Sequence, residues 1–201
     1  MIMEKDSQSE LDRVDKIYED SFDDSIEQST IYRGVYFPCI KDEIFAIVLT
    51  PMCDIYWDKA QYIRMAGFIS AEQIFEQWLK KNKFSPEQII GIEPLGSEKK
   101  VEKLHRQFAK DYLGNSREIR YHFILSYKEK FPHSFVDFQL VESFSPGDVE
   151  GFEKVAVLRS PWRESILARY ASYCGRIGIK TYSEKLIDVI MDQISRLTWP
   201  Q

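Results

Sequence analysis

The sequence predicts an α+β fold: a small β-barrel or a strongly bent antiparallel sheet, with a helical insertion and C-terminal helices. Three observations carry that expectation. Apolar residues run in short β-branched stretches over 31–69 and 118–159, they take helical spacing over 70–115 and 161–198, and Pro or Gly marks the switches. With 201 residues, 44% hydrophobic and 29% charged, the chain is long enough for one substantial core. The expected organisation is an acidic helical arm over 1–30 and a single α+β domain over 31–201.

In the arm, Leu11, Val14, Tyr18 and Phe22 fall at steps of three and four, a narrow apolar stripe on a charged helix. Tyr32 to Phe37 then reads as a strand closed by Pro38, and Ile44 to Thr50 as a buried strand ended by Pro51. A turn at Cys53-Asp54 leads to a third strand over Ala60 to Phe68. Ser70 caps a helix whose Ile74, Phe75, Trp78 and Leu79 share one face, ending near Asn82. Ser85-Pro86-Glu87 opens a short second helix, and Glu98 to Leu113 forms a third, with Val101, Leu104, Phe108 and Leu113 on one side. Strands follow over Ile119 to Leu125, Ser134 to Val141 and Lys154 to Leu158, the first two joined across Lys128 to Pro132. Pro161 sits where a helix begins, since its missing N–H costs nothing there. Ile166, Leu167, Tyr170, Tyr173, Cys174 and Ile177 make its apolar face, and Ser183 caps a last helix with Leu186, Val189, Ile190 and Leu197.

Charge divides the chain. Residues 1–30 hold ten acids against Lys5, Arg13 and Lys16, a net −7 within a total of −5, so the other 171 residues sum to +2. The basic excess gathers where Arg159, Arg163, Arg169, Arg176 and Lys180 face only Glu164. Trp162, Tyr170 and Tyr173 are interleaved with them, and arginine with aromatics is the chemistry that grips single-stranded nucleic acid. The competing expectation pairs these guanidinium groups with Asp137, Asp54 or the arm. The arm itself either packs on its own domain or covers the basic helix as a regulator or docking point. No apolar run approaches the roughly 18 residues of a membrane helix, and the acidic N-terminus is unlike a signal peptide, so a cytoplasmic protein without membrane contact is expected. Cys39, Cys53 and Cys174 are odd in number and widely spaced, which predicts reduced thiols and neither a disulfide framework nor a zinc site.

The Tyr32-Arg33-Gly34-Val35-Tyr36 strand, followed by Ile47-Val48-Leu49-Thr50, resembles the opening R-G-[DE]-[IV]-[YW] and V-L-V-[IV]-[ST] strands of the PemK/MazF toxins. Phe135-Val136-Asp137-Phe138-Gln139-Leu140-Val141 and Val155-Ala156-Val157-Leu158 resemble that family's later strands, so the resemblance covers about 60 residues in pieces. It implies an SH3-like barrel. The toxins that cut RNA carry an Arg-Pro pair before the second strand to stabilise charge on the scissile phosphate; here that loop is Lys41-Asp42-Glu43, whose carboxylates repel phosphate. Their catalytic residues therefore find no counterparts here. Thr50-Pro51-Met52-Cys53-Asp54-Ile55 is also similar to a T/S-x-x-C-D-[IL] signature of bacterial proteins, some near phage-defence genes.

Together these features predict a binding or regulatory module in a bacterial toxin or phage-defence setting, contacting a partner protein, a second copy of itself or single-stranded nucleic acid. Arg159, Trp162, Arg163, Arg169, Tyr173 and Arg176 are the binding candidates. The alternative is an enzyme, a diverged endoribonuclease or a Cys-dependent activity, with Cys53, Asp54, His133 and Arg163 as catalytic candidates. The carboxylate beside Cys53 works against a thiolate nucleophile, so a small buried Cys53 beside a turn-capping Asp54 is the favoured expectation. No metal site or cofactor is expected, since no H-x-x-x-H or C-x-x-C spacing occurs.

Overall fold

The computed structural model describes residues 16–19, 23, 25–57, 59–89, 96–115 and 117–175. Among the described residues seven antiparallel strands form one sheet: β1 (Tyr18–Glu19), β2 (Thr30–Phe37), β3 (Asp42–Val48), β4 (Ile63–Ser70), β5 (Tyr121–Ile124), β6 (Ser134–Phe144) and β7 (Glu153–Leu158). Their order across the sheet is β1-β7-β2-β3-β4-β6-β5. The helices are α1 (Met52–Tyr56), α2 (Ala71–Lys81), α3 (Pro86–Ile89), α4 (Glu98–Phe108), α5 (Pro146–Glu150) and α6 (Trp162–Cys174), with a π-helical turn over Ala109–Leu113 continuing α4.

The bend in this sheet follows from its irregularities. Pairing shifts register between Tyr32 and Val35 on β2, between Ile31 and Tyr32 against β7, and between Ala66 and Phe68 on β4. Each bulge adds local twist and turns the strand. Gly34 supplies the positive φ of +74° at the first. At Gly67 a Cβ would stand 2.6 Å from Ile44 and 2.7 Å from Leu140, so only glycine lets the neighbouring side chains cross the bend. Curvature gathers side chains from all seven strands, among them Tyr18, Ile31, Ile47, Phe68, Ile124, Val136 and Ala156, into one cluster that Ile166 of α6 closes. On the opposite face, α2 and the α4 region pack Ile74, Trp78, Leu79 and Phe108 against Tyr121 and Phe135. That places the predicted helical insertion against β5 and β6.

The sheet bends without closing. β1 and β5 remain its edges, so the strongly bent sheet of the sequence expectation is what forms, and no ladder completes a barrel among the described residues. Ser70 caps α2 as expected, its hydroxyl accepting from the Gln73 N–H at 3.1 Å. Three differences stand out. Tyr18 belongs to a strand paired with Leu158, where the apolar spacing suggested a helix; Leu11, Val14 and Phe22 of that stripe, like the helix expected after Ser183, lie outside the described residues. Cys53-Asp54 forms one helical turn rather than a simple turn. The short α5, with Pro146 in its first turn and reciprocal Ser145–Asp148 hydrogen bonds, was not anticipated. Among the described residues no helix is long and apolar enough to cross a membrane.

Candidate functional site

The two sheet edges approach each other at a seam that side chains hold. β5 needs a neighbour for its outer main-chain groups, and three residues supply one. Asn115 brackets Phe123, its Oδ1 accepting from the Phe123 N–H at 2.6 Å and its Nδ2 donating to the Phe123 carbonyl at 3.2 Å. Arg169 reaches from α6 to donate Nε to the Tyr121 carbonyl at 2.8 Å and Nη2 to the Glu118 carbonyl at 2.6 Å, with Nη1 on the Asn115 carbonyl. Tyr18 donates its hydroxyl to the Leu125 carbonyl at 2.6 Å across the gap from β1. Such an edge is blunted against further strand pairing.

Between these supports lies a cleft of about 530 Å³, walled by Tyr18 and Leu158 on one side and His122 to Leu125 on the other, with Trp162 and Ser165 of α6 at its mouth. His122 is 6% exposed, and its Nδ1 is buried without a hydrogen-bond partner. Burial, with Arg169 adding to it, pushes the imidazole down to about 3, so it is neutral near pH 7. Sequence reasoning did not single out His122. Its place in a β5 pattern gives no local sign that the strand borders a gap.

The binding candidates separate into three groups. Arg159, Trp162 and Arg163 share the corner that leads into α6, where Trp162 is 43% exposed and lines the cleft. Glu19 of the acidic arm stands 3.6 Å from Arg159, and Arg163 pairs with Glu164 at 3.2 Å. Arg169 serves the seam as described, and Tyr173 packs beside Tyr170 on Phe138 at 5.9 Å. Arg176 lies outside the described residues. Asp137, an expected partner of these arginines, is instead buried and gripped by Arg120 through Nε at 2.8 Å and Nη2 at 2.6 Å. The arm does pair with the basic corner through Glu19. Lys154 of β7 fastens it further, donating to the Asp23 and Ser25 carbonyls at 3.0 and 2.8 Å.

The catalytic candidates are not brought to one place. Cys53 is exposed, contrary to the buried thiol expected, with its sulfur 3.7 Å from Asp54 Oδ1. Asp54 lines a separate cavity of about 820 Å³ with Arg64, Tyr170 and Cys174. Burial pushes the Tyr170 phenol up, and its bond to Cys174 adds to this. Around the Thr50-to-Asp54 segment, the Thr50 hydroxyl accepts from the Arg64 N–H at 2.7 Å and Gln28 Oε1 from the Met52 N–H at 2.7 Å. Met52, Tyr56, Trp57 and Tyr62 are exposed beside it. His133 is on the surface with its Nδ1 accepting from the Ser126 N–H at 2.9 Å, and Arg163 belongs to the corner by α6. Glu43, expected in a loop, lies in β3 opposite Tyr36 and lines a third cavity with Arg33. Among the described residues no group of three or more His, Cys, Asp or Glu is arranged to hold a metal ion.

No protein family matches the chain, and neither does any curated protein or solved structure.

Proposed function

We propose that this chain is a cytoplasmic binding module that holds single-stranded nucleic acid across the Arg159–Trp162–Arg163 corner, with the acidic arm as a built-in competitor. One observation carries the proposal. An exposed tryptophan stands between two arginines at the mouth of a cleft, and a carboxylate of the arm already occupies the first of them. A base stacks on the indole while the guanidinium groups take the flanking phosphates. Kinship with the PemK/MazF toxins and their SH3-like barrel belongs to the same proposal, resting on the matching segments in β2, β3, β6 and β7, and so does the bacterial toxin or phage-defence setting.

Fluorescence anisotropy with labelled oligo-U and oligo-dT at low and moderate salt tests it. Binding is expected to weaken with salt, by a log–log slope of roughly −0.7 for each phosphate neutralised. Replacing both Arg159 and Arg163 by alanine flattens that slope, Trp162→Ala weakens binding by about tenfold, as stacking energies of roughly 1–3 kcal/mol per base imply, and Glu19→Gln tightens it. Absence of salt-sensitive binding, or its survival in the double variant, refutes the proposal.

A second reading, a diverged endoribonuclease or Cys53-dependent enzyme, has its own observation: Asp54 shares a cavity with an arginine and a tyrosine. Incubation with total RNA discriminates. Cleavage lost on Arg163→Ala or Arg64→Ala favours the nuclease, and alkylation of Cys53 no faster than a free thiol removes the thiol-dependent version.

A further inference from the structure

We propose that the seam cleft is a binding site for a small, uncharged, flat molecule, mostly apolar with one hydrogen-bonding edge that His122 engages. The proposal is independent of nucleic acid at the rim. Its first support is the cleft's origin. A bent sheet that stops short of closing leaves a gap where one more strand would lie, and Asn115, Arg169 and Tyr18 satisfy the exposed main chain without filling the space. About 530 Å³ remains, within the range of small-molecule sites and enough for a molecule of two or three fused rings.

The walls decide the chemistry. Among the described residues, none of those lining the cleft is an acid, a lysine or an arginine, so a charged ligand would lose its hydration there without a compensating charge from them. Arg169 acts on His122 through its charge, but it does not line the cleft, and three of its five N–H groups are committed to carbonyls. Tyr18, Phe123 and Trp162 offer aromatic surface, which favours a planar guest. Among the polar groups, Asn115 spends both ends of its amide on Phe123, and Tyr18 spends its hydroxyl on Leu125.

Among the described lining residues, His122 is the remaining buried one. Its ring lines the cleft, while its Nδ1, closed to solvent, has no hydrogen-bond partner. The neutral ring carries a donor on one nitrogen and an acceptor on the other, and no protein bond at Nδ1 fixes which is which. A guest with both a donor and an acceptor on one edge therefore suits either tautomer.

Indazole, which has such an edge, is the probe, with the hydrocarbon indene as its shape-matched control and indazole-3-carboxylate as the charged one. The full chain, labelled with ¹⁵N, is titrated and followed by amide and imidazole signals, the latter simplified by there being 3 histidines. Indazole is expected to shift the amides of Phe123 to Leu125 and Trp162 together with the His122 ring nitrogens. Indene should bind about tenfold more weakly, the size of one hydrogen bond, and the carboxylate should not compete. His122→Phe should bring indazole and indene to the same affinity. Because that variant alters a buried residue, Ser165→Phe at the exposed mouth is the second test, and it should block indazole while leaving the rest of the spectrum unchanged. The proposal is overturned if indazole leaves these signals in place, if Ser165→Phe binds it as well as the parent chain, or if the carboxylate binds as tightly as indazole.

Discussion

The middle of the sheet and its seam solve the same problem by different means. In β2, β3, β4 and β6 each strand finds its hydrogen bonds in the next strand, and short apolar, β-branched runs mark those strands in the sequence. At the seam there is no next strand among the described residues. Asn115, Arg169 and Tyr18 each supply main-chain partners from a different part of the chain. A ladder fills the space it crosses, whereas side chains reach over it. The cleft is the consequence, and the residues that reach over it are polar and come from separate parts of the chain.

That contrast can be broken first on the ladder side. Ile47 is fully buried in β3 and belongs to the cluster that all seven strands share. Ile47→Ala is expected to cost about 4 kcal/mol, read as a lowered urea midpoint, because the packed surroundings cannot collapse into the space. Loss of protection against hydrogen exchange should then be global. Arg169→Met is the matching test at the seam. It removes charge-assisted donors from three carbonyls and keeps the apolar stem, for an expected loss of about 3 kcal/mol. Exchange should speed up at Tyr121 to Phe123 while the β2–β3–β4 amides stay protected. If both variants lose protection everywhere alike, the seam is not a separate unit.

The same contrast governs what the sequence reveals. β2, β3, β6 and β7, and α2 with its Ser70 cap, were legible because their signals are local: period, cap and terminating Pro or Asn. β1 was not. Tyr18 repeats at helical spacing with its neighbours, and what makes it a strand is pairing with Leu158, far along the chain. The partners of the arginines were equally hidden. Arg169 turned to carbonyls and Arg120 took Asp137, choices made by proximity in the folded sheet that helix spacing does not encode. Of the candidate site, the Arg159–Trp162–Arg163 corner was readable as charge and aromatics in one segment. His122 was unreadable, since an edge beside a gap and an interior strand have the same local pattern.

A smaller effect sharpens the seam's electrostatics. The folded state holds the His122 ring at about 3 against an ordinary 6.5, by burial and by the nearby Arg169 charge, so the unfolded chain takes up its proton first as pH falls. The stability this neutral ring permits is fully present above pH 6.5 and declines from there toward the folded value. Linkage gives a loss of about 2 kcal/mol between about pH 8 and pH 5. Carboxylates titrate in His122→Phe as well, so the difference between the two urea-midpoint profiles isolates the histidine. Parallel profiles would mean that the ring is protonated in place and the cleft is wetter than its lining implies.

The smallest expected effect separates hydrogen bonding from packing at the point where the edges meet. Tyr18 does two things there: its ring lies 4.7 Å from Tyr127 and 5.5 Å from Phe131, and its hydroxyl spans to Leu125. Burial pushes the phenol's ionisation well above its usual range, with Tyr127 adding to this, so the hydroxyl stays a donor at any ordinary pH. Tyr18→Phe keeps the ring contacts and removes only the donor, for a loss of about 1 kcal/mol, mainly the cost of leaving the Leu125 carbonyl unpaired. The Arg159 N–H, which donates to the Ile17 carbonyl at 2.9 Å, reports whether the arm still lies on β7. Its exchange is expected to quicken by about fivefold, the factor that roughly 1 kcal/mol corresponds to, while the β2–β3 amides keep their rates. Unchanged exchange at Arg159 would assign the junction to ring packing, and the seam would then depend on Asn115 and Arg169 with β1 as a passenger.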